Sequence, residues 1–597
     1  MRRVVMITLI AVFSIACQGA EEQDECPEWR LGEVVDTEGC GTLARLPGPW
    51  GDDLWIVRVQ GTPYEMGYQY GRLLGPTMEE MWDTYMGSLA EGAEVSEDDD
   101  DTLMELIGEL LDLGWEWFEP HISPRFHREL EGVVAGMKDS GVTDPEMEAM
   151  PRRIITLVEL AMSSQLSLDD LSGITSLLNH GVSRALREYY DEQPAAVSKQ
   201  VQSLVNRLSE LQIERIFPPL QCSFYAAWGD RTDHGGLYAT RNMDFTPDTG
   251  IGRFASIAVF VPNDGIPYTS ISWVGANLGG LAGMSREGLT ISAVGASSPL
   301  ERIDTQPALF KAREVLEGSV NLEEAMSYMD NTVDDGFTRA PTIGYNALVA
   351  WGDPRGGGAS AGGLMLENNG LSSGAFLHHS DCSVDTMLVR FDRDGTAVTH
   401  TPGSRPEKVN TEAEAVEIDA NANPLLFAHD GTDYILDDDG NYIEDPDGMP
   451  LRTGYPLPCA LYRGDEALAH GVRMHQYACN GPQRENPGLM VRGGSYRNRY
   501  TPMREMTEAW EAGEAWSWDG EEIIPCNDGV PAPVTMDGAE AVSRVAAMRS
   551  NTWDVVYDAT DLVMRLSYES GTGDDWVAAS DQPEFLEVSL DDLILVD

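Results

Sequence analysis

Between Tyr64 and about Arg215 apolar residues recur three and four positions apart. MEEMWDTYMGSL, DTLMELIGELLDLGWEWF, FHRELEGVVAGMKDSG and RRIITLVELAM all carry this spacing, which a 3.6-residue period gathers onto one helix face. The block is predicted to be helical throughout. Just before it, Trp55 to Val59 alternate as a strand does. Gly61, Thr62 and Pro63 make a turn, and Thr62 to Glu65 start the first helix. After Pro218 and Pro219 the texture changes to short β-rich runs divided by glycine turns: SFYAAW, GLYATRNM, ASIAVFV, YTSISWV, LTISAVG and YNALVAW. A second helical stretch, PALFKAREVLEG and then NLEEAMSYMD, lies among those strands, with Ser319 or Asn321 as its cap.

Two stretches fall outside these patterns. Residues 18 to about 50 are acidic and rich in glycine and proline, and read as a tether at most partly ordered by a short Cys26–Cys40 loop. Residues 380 to 470 hold acidic turn clusters such as DDDGNYIEDPDG and read as a hairpin-rich insertion. That cluster is not an EF-hand loop, because placing Gly440 at loop position six puts Ile435 at position one.

The 99 acidic and 40 basic residues give a formal net charge of −59. Such a surface repels phosphate backbones and anionic headgroups, so nucleic acid is excluded as a partner. The first residues read as an export signal: Arg2 and Arg3, then VVMITLIAVFSIA, too short to span a bilayer comfortably, then Cys17. The SIAC ending resembles a lipoprotein box in which Cys17 is lipidated. The expected location is therefore outer or cell-surface membrane, otherwise periplasmic or secreted, with membrane contact only through that anchor. Cys26, Cys40, Cys382, Cys459, Cys479 and Cys526 then form an even set in an oxidising compartment, and Cys222 is the odd thiol.

SFYAAW and LYATRNMDF read as a hairpin around GDRTDHGG. A turn centred near Thr232 and Asp233 sets Cys222 opposite Asn242, Met243 and Asp244. Arg241 and Asp244 are three apart, so an ideal strand aims them at opposite faces, and both reach the thiol only if the strand bends or ends there. An arginine beside the thiol favours the thiolate. No histidine is placed as its base, since His234 lies in the hairpin loop and is read as facing solvent. A cut between Gln221 and Cys222 would supply an α-amine instead.

CSFYAAW followed by GGLYATRNMDF resembles the start of the catalytic chain in cysteine N-terminal-nucleophile hydrolases, the family of acid ceramidase, bile salt hydrolase and acyl-coenzyme A:isopenicillin N acyltransferase. Gly61, Thr62, Pro63, Glu65, Gly67 and Gly71 resemble the opening segment of the acyltransferase precursor, and AMRSNTWDVVYD resembles the closing strand. The resemblance implies an α+β fold, a four-layer αββα sandwich behind a helical pro-segment. By residue number that gives a signal at 1–17, a tether at 18–50, a helical segment at 51–221 and a catalytic domain at 222–597.

It also implies cleavage between Gln221 and Cys222 into two chains, Cys222 as nucleophile, Arg241 and Asp244 as its polarising residues, and Asn480 in the oxyanion hole. The expected enzyme is a self-processing amide hydrolase or acyltransferase acting on a small acyl amide, with no metal or organic cofactor. Two alternatives use the same scaffold: a lipid amidase or esterase resembling phospholipase B-like proteins, and a catalytically inactive surface lipoprotein that only binds.

Overall fold

The structure is a computed structural model that describes residues 26–92, 97–162, 221–295, 306–329, 345–368, 372–382, 384–391, 397–399, 459–463, 503, 506–507, 514–518, 523–527, 533–548 and 550–595. Cys17, Cys479, Asn480 and the acidic cluster at 437–448 lie outside these residues.

Strands β1 (Glu33–Glu38), β2 (Gly41–Pro47) and β3 (Asp53–Gly61) come first, and a Cys26–Cys40 disulfide ties the chain ahead of β1 to the β1–β2 turn. Helix α1 (Pro63–Gly92) begins where TPYE predicts. The Glu65 carboxylate accepts the Thr62 N–H at 2.8 Å, and Pro63 occupies the first helical position, where a missing N–H costs nothing. Helices α2 (Glu97–Phe118), α3 (Pro124–Asp139) and α4 (Met150–Met162) follow.

α1 and α3 lie unusually close. A Cβ built on Gly67 or Gly71 would stand 1.9 or 2.0 Å from the carbonyl oxygens of Glu129 and Val133, and one on Gly132 or Gly136 would stand 2.2 or 2.1 Å from those of Tyr64 and Tyr68. Spaced four apart on each helix, these glycines form two facing seams where only hydrogen fits.

The β-rich part runs through β4 (Gln221–Trp228), β5 (Leu237–Asp244), β6 (Ala255–Pro262), β7 (Tyr268–Trp273), β8 (Ala282–Met284) and β9 (Leu289–Gly295). Helices α5 (Ala308–Gly318) and α6 (Leu322–Met329) precede β10 (Tyr345–Trp351), β11 (Gly362–Asn368), β12 (Ser372–His378), β13 (Val384–Phe391) and β14 (Ala397–Thr399). Then come β15 (Ala460–Arg463), β16 (Glu514–Trp518), β17 (Ile523–Asn527), helix α7 (Met536–Ala546), β18 (Asn551–Asp558), β19 (Val563–Tyr568), β20 (Leu586–Ser589) and a closing turn of helix, α8 (Leu590–Ile594). The fold is α+β.

Its strands form a five-stranded sheet ordered β1-β2-β3-β6-β7, a six-stranded sheet ordered β15-β4-β5-β18-β19-β20, a seven-stranded sheet running from β14 through β13, β12, β11, β10 and β9 to β8, and the β16–β17 pair. Among the described residues β3 and β6 are the one pair of strands that run parallel.

α7 packs on β4, β5 and β18, while α5 and α6 pack on β9, β10 and β11. A buried ion pair fastens the helical block to α5: Arg313 grips Glu129 of α3 with two hydrogen bonds, 2.6 and 2.9 Å long, both side chains being almost wholly enclosed. A Cys382–Cys459 disulfide joins the two ends of the acidic insertion. Among the described residues no helix is long and apolar enough to cross a membrane.

Candidate functional site

The β4–β5 hairpin has the register its loop predicts, with Cys222 opposite Met243 and Gln221 opposite Asp244. Alternation then divides the polar residues between two faces. On the face toward the seven-stranded sheet, Arg241 Nη2 lies 3.4 Å from Cys222 Sγ and donates to the Ala293 carbonyl of β9 at 2.9 Å. The guanidinium lies over the Trp553 ring, 4.5 Å from its centroid. Cys222 Sγ lies 3.5 Å from Met243 Sδ, and the thiol is reduced and buried.

On the opposite face, Ser223, Asn242 and Asp244 meet α7 and the turn after it. Asn242 donates to the Ser543 carbonyl at 2.6 Å, and Asp244 accepts the Met548 N–H at 2.9 Å and the Asn551 amide at 3.3 Å.

This geometry corrects the expectation of an N-terminal nucleophile. Cys26, the first cysteine of the described chain, is bonded to Cys40 and offers no N-terminal thiol. Cys222 is the second residue of β4, opposite Met243 in the ladder. The strand neither bends nor stops before Asp244, which therefore faces away from the thiol and closes the turn after α7. Arg241 reaches the sulfur as expected; Asp244 does not.

The expectations of a self-processing amide hydrolase or acyltransferase, of two chains from one precursor, of an acyl amide substrate and of membership in the N-terminal-nucleophile family are corrected with it. The disulfide expectation stands for Cys26–Cys40 and is joined by Cys382–Cys459.

A second cluster forms at the far end of the same hairpin. Its loop is pinned by hydrogen bonds from Asp233 N to Val534 O at 3.0 Å and from Val534 N to Arg231 O at 2.8 Å. Those contacts turn His234 inward, so it is not the solvent-facing loop residue expected: its side chain is 23% exposed. Nε2 lies 3.3 Å from Asp558 Oδ1, Nδ1 lies 3.3 Å from Asp233 Oδ1, and the ring packs against Tyr238 with centroids 4.6 Å apart.

Asp558 ends β18 and holds the β18–β19 turn by accepting the N–H groups of Thr560 at 3.2 Å and Asp561 at 2.9 Å. That turn brings the exposed Asp561 carboxylate around, so one ligand atom from each of His234, Asp558 and Asp561 lies within 4.8 Å of the others. The hydrogen bond with Asp558 raises the His234 pKa above its ordinary value; partial burial opposes this, and the charges of Asp558, Asp233 and Asp561 add to it.

Imidazole with carboxylates is a metal-ligand set, and the sequence reading, which assigned no metal, did not find it. The three residues come from a hairpin loop and a turn 324 positions apart. The local signals, an inward-turned His before Gly235-Gly236 and an Asp-x-x-Asp turn, carry meaning only once the two strands are known to be neighbours.

No protein-family model matches the chain. It is similar to an uncharacterized protein of Archaeoglobus fulgidus, 25% identical over 351 residues, a region covering 57% of this chain and 47% of that protein. The chain thus spans about half the length of that relative.

Proposed function

We propose that this chain is an exported, non-catalytic binding protein, held at the cell surface through Cys17, whose recognition point is a divalent cation on His234, Asp558 and Asp561. The observation that carries this reading is the convergence of those three donors on a loop and a turn that backbone hydrogen bonds hold in place. The two disulfides fit an oxidising compartment. Helix α7 on one side of the six-stranded sheet, and α5 and α6 on the far side of the seven-stranded one, support an αββα sandwich as the scaffold. The cation site lies at its hairpin end, away from the thiol.

Equilibrium dialysis of the mature protein against divalent metal salts tests the reading. At about 1 M salt, screening acts over roughly 3 Å and diffuse attraction to the acidic surface is suppressed. One ion per chain should remain bound, and Asp561→Ala, a change at an exposed side chain, should weaken it. Retention no greater than that of an Asp558→Asn, Asp561→Ala double variant would overturn the reading. Fatty-acid labelling lost in Cys17→Ala tests the anchor.

A further inference from the structure

We infer that the site is built for a zinc-class transition-metal ion rather than calcium or magnesium, and that Asp233 is the residue that positions His234 for it; this rests on the cation reading above. Calcium collects six to eight oxygens and magnesium an octahedron of oxygens, so an imidazole at the centre of the donor set serves neither.

The spacing agrees. Bonds of about 2.0 to 2.2 Å in a tetrahedral zinc site place neighbouring donors roughly 3.3 to 3.5 Å apart, and Nε2 lies 3.3 Å from Asp558 Oδ1.

The surroundings have the form of an outer shell. A metal-bound histidine commonly gives its other ring nitrogen to a carboxylate, which fixes the tautomer and the ring plane. Here Nδ1 is enclosed without a hydrogen bond and lies 3.3 Å from Asp233 Oδ1, the carboxylate within its reach, and Asp233 is itself held by the Tyr238 hydroxyl, which donates to it at 2.8 Å. Asp558 is fixed by the two amides of its own turn.

Space beside the donor nitrogen is kept by Gly236, where a Cβ would stand 2.6 Å from Nε2 and 2.3 Å from Thr560 Oγ1. Three protein donors leave one tetrahedral position for water or for a donor from an outside molecule. That open position is what makes a bound ion useful for recognition.

Competition of the metal-free protein against a chelating dye, with Zn²⁺, Co²⁺, Ca²⁺ and Mg²⁺ each used alone, tests this. Zn²⁺ and Co²⁺ should bind one per chain and at least about 100-fold more tightly than Ca²⁺ or Mg²⁺, and Co²⁺ should give the intense visible absorption of a tetrahedral site. Asp233→Asn should lower Zn²⁺ affinity by about 10- to 100-fold without changing the circular dichroism, and His234→Gln should abolish the Co²⁺ bands.

Equal affinity for Zn²⁺ and Ca²⁺, or unchanged Zn²⁺ affinity in Asp233→Asn, overturns the inference while leaving a cation site in place. No binding of any of the four ions above the Asp558→Asn, Asp561→Ala background overturns the binding reading itself.

Discussion

Asp554 sits on β18 with its carboxyl enclosed on the helix side of the six-stranded sheet, where the Asn551 amide donates to it at 3.2 Å. Burial, and then the neighbouring charge of Asp244, push its pKa up from 3.8 to about 7. Between those values the unfolded chain loses a proton that the fold keeps. The contribution to stability is therefore fully present below pH 3.8 and is lost as the pH rises to about 7, at up to about 1.4 kcal/mol per pH unit. Asp554→Asn should flatten that slope and raise the melting temperature at pH 8, as calorimetry across the range would show; an unchanged slope would mean the carboxyl is already ionised at acid pH. Cys222 yields a second expectation at this scale. With the self-processing expectation corrected, the purified protein and Cys222→Ala should both migrate as one uncut chain. A fragment beginning Cys-Ser-Phe would restore the processing that the geometry argues against. The register of Cys222 against Met243, and the opposite facing of Arg241 and Asp244, were legible in the sequence, because loop length and alternation are local properties. The meeting of His234 with Asp558 was not, because it depends on which distant strand lies beside β5.

At the scale of elements, helices and strands were readable where apolar spacing is regular, as in α1 to α4 and in β4 to β7. Gly67, Gly71, Gly132 and Gly136 carried a signal that periodicity alone could not interpret. Two of them entered the sequence reading as part of a family-like segment, whereas the structure gives them a packing reason. They let α1 and α3 approach until the backbone of one helix touches the glycines of the other. A methyl group at Gly71 has the Val133 carbonyl oxygen 2.0 Å away and can be admitted only if the helices separate. Overpacking of this kind costs about 1 to 3 kcal/mol. Gly71→Ala should therefore lower the denaturant midpoint, whereas Ala at Gly87, whose Cβ would meet nothing within 4 Å, should raise it through helix propensity, worth about 0.5 to 1 kcal/mol. Equal effects at the two positions would assign the loss to some property of α1 other than its contact with α3. The Arg313–Glu129 pair carries the same seam onto α5, so the helices and the sheets they cover should unfold together; separate transitions in calorimetry would contradict that coupling.

For the whole molecule, the net charge of −59 makes cations act in two ways that can be separated. Repulsion among the acidic groups disfavours the compact state, and salt weakens it by screening. The melting temperature should accordingly rise by roughly several degrees as sodium chloride goes from about 0.1 to 1 M, where the Debye length shrinks from about 10 to 3 Å. Any monovalent salt should produce much the same rise. An ion held by His234, Asp558 and Asp561 follows a different law. It binds one state of the chain, so its stabilisation grows as the logarithm of ion concentration over dissociation constant, about 2.7 kcal/mol at a hundredfold excess. It should be present at micromolar Zn²⁺, persist at about 1 M salt and shrink in Asp561→Ala, whereas the screening effect should survive that substitution intact. Melting curves across the grid of sodium chloride and Zn²⁺ concentrations therefore distinguish the surface from the site. Two rises that add, only one of them reduced with Asp561, are what the proposed site predicts. A Zn²⁺ effect that fades as salt is added and is indifferent to Asp561 would reduce it to one more counterion on an acidic surface.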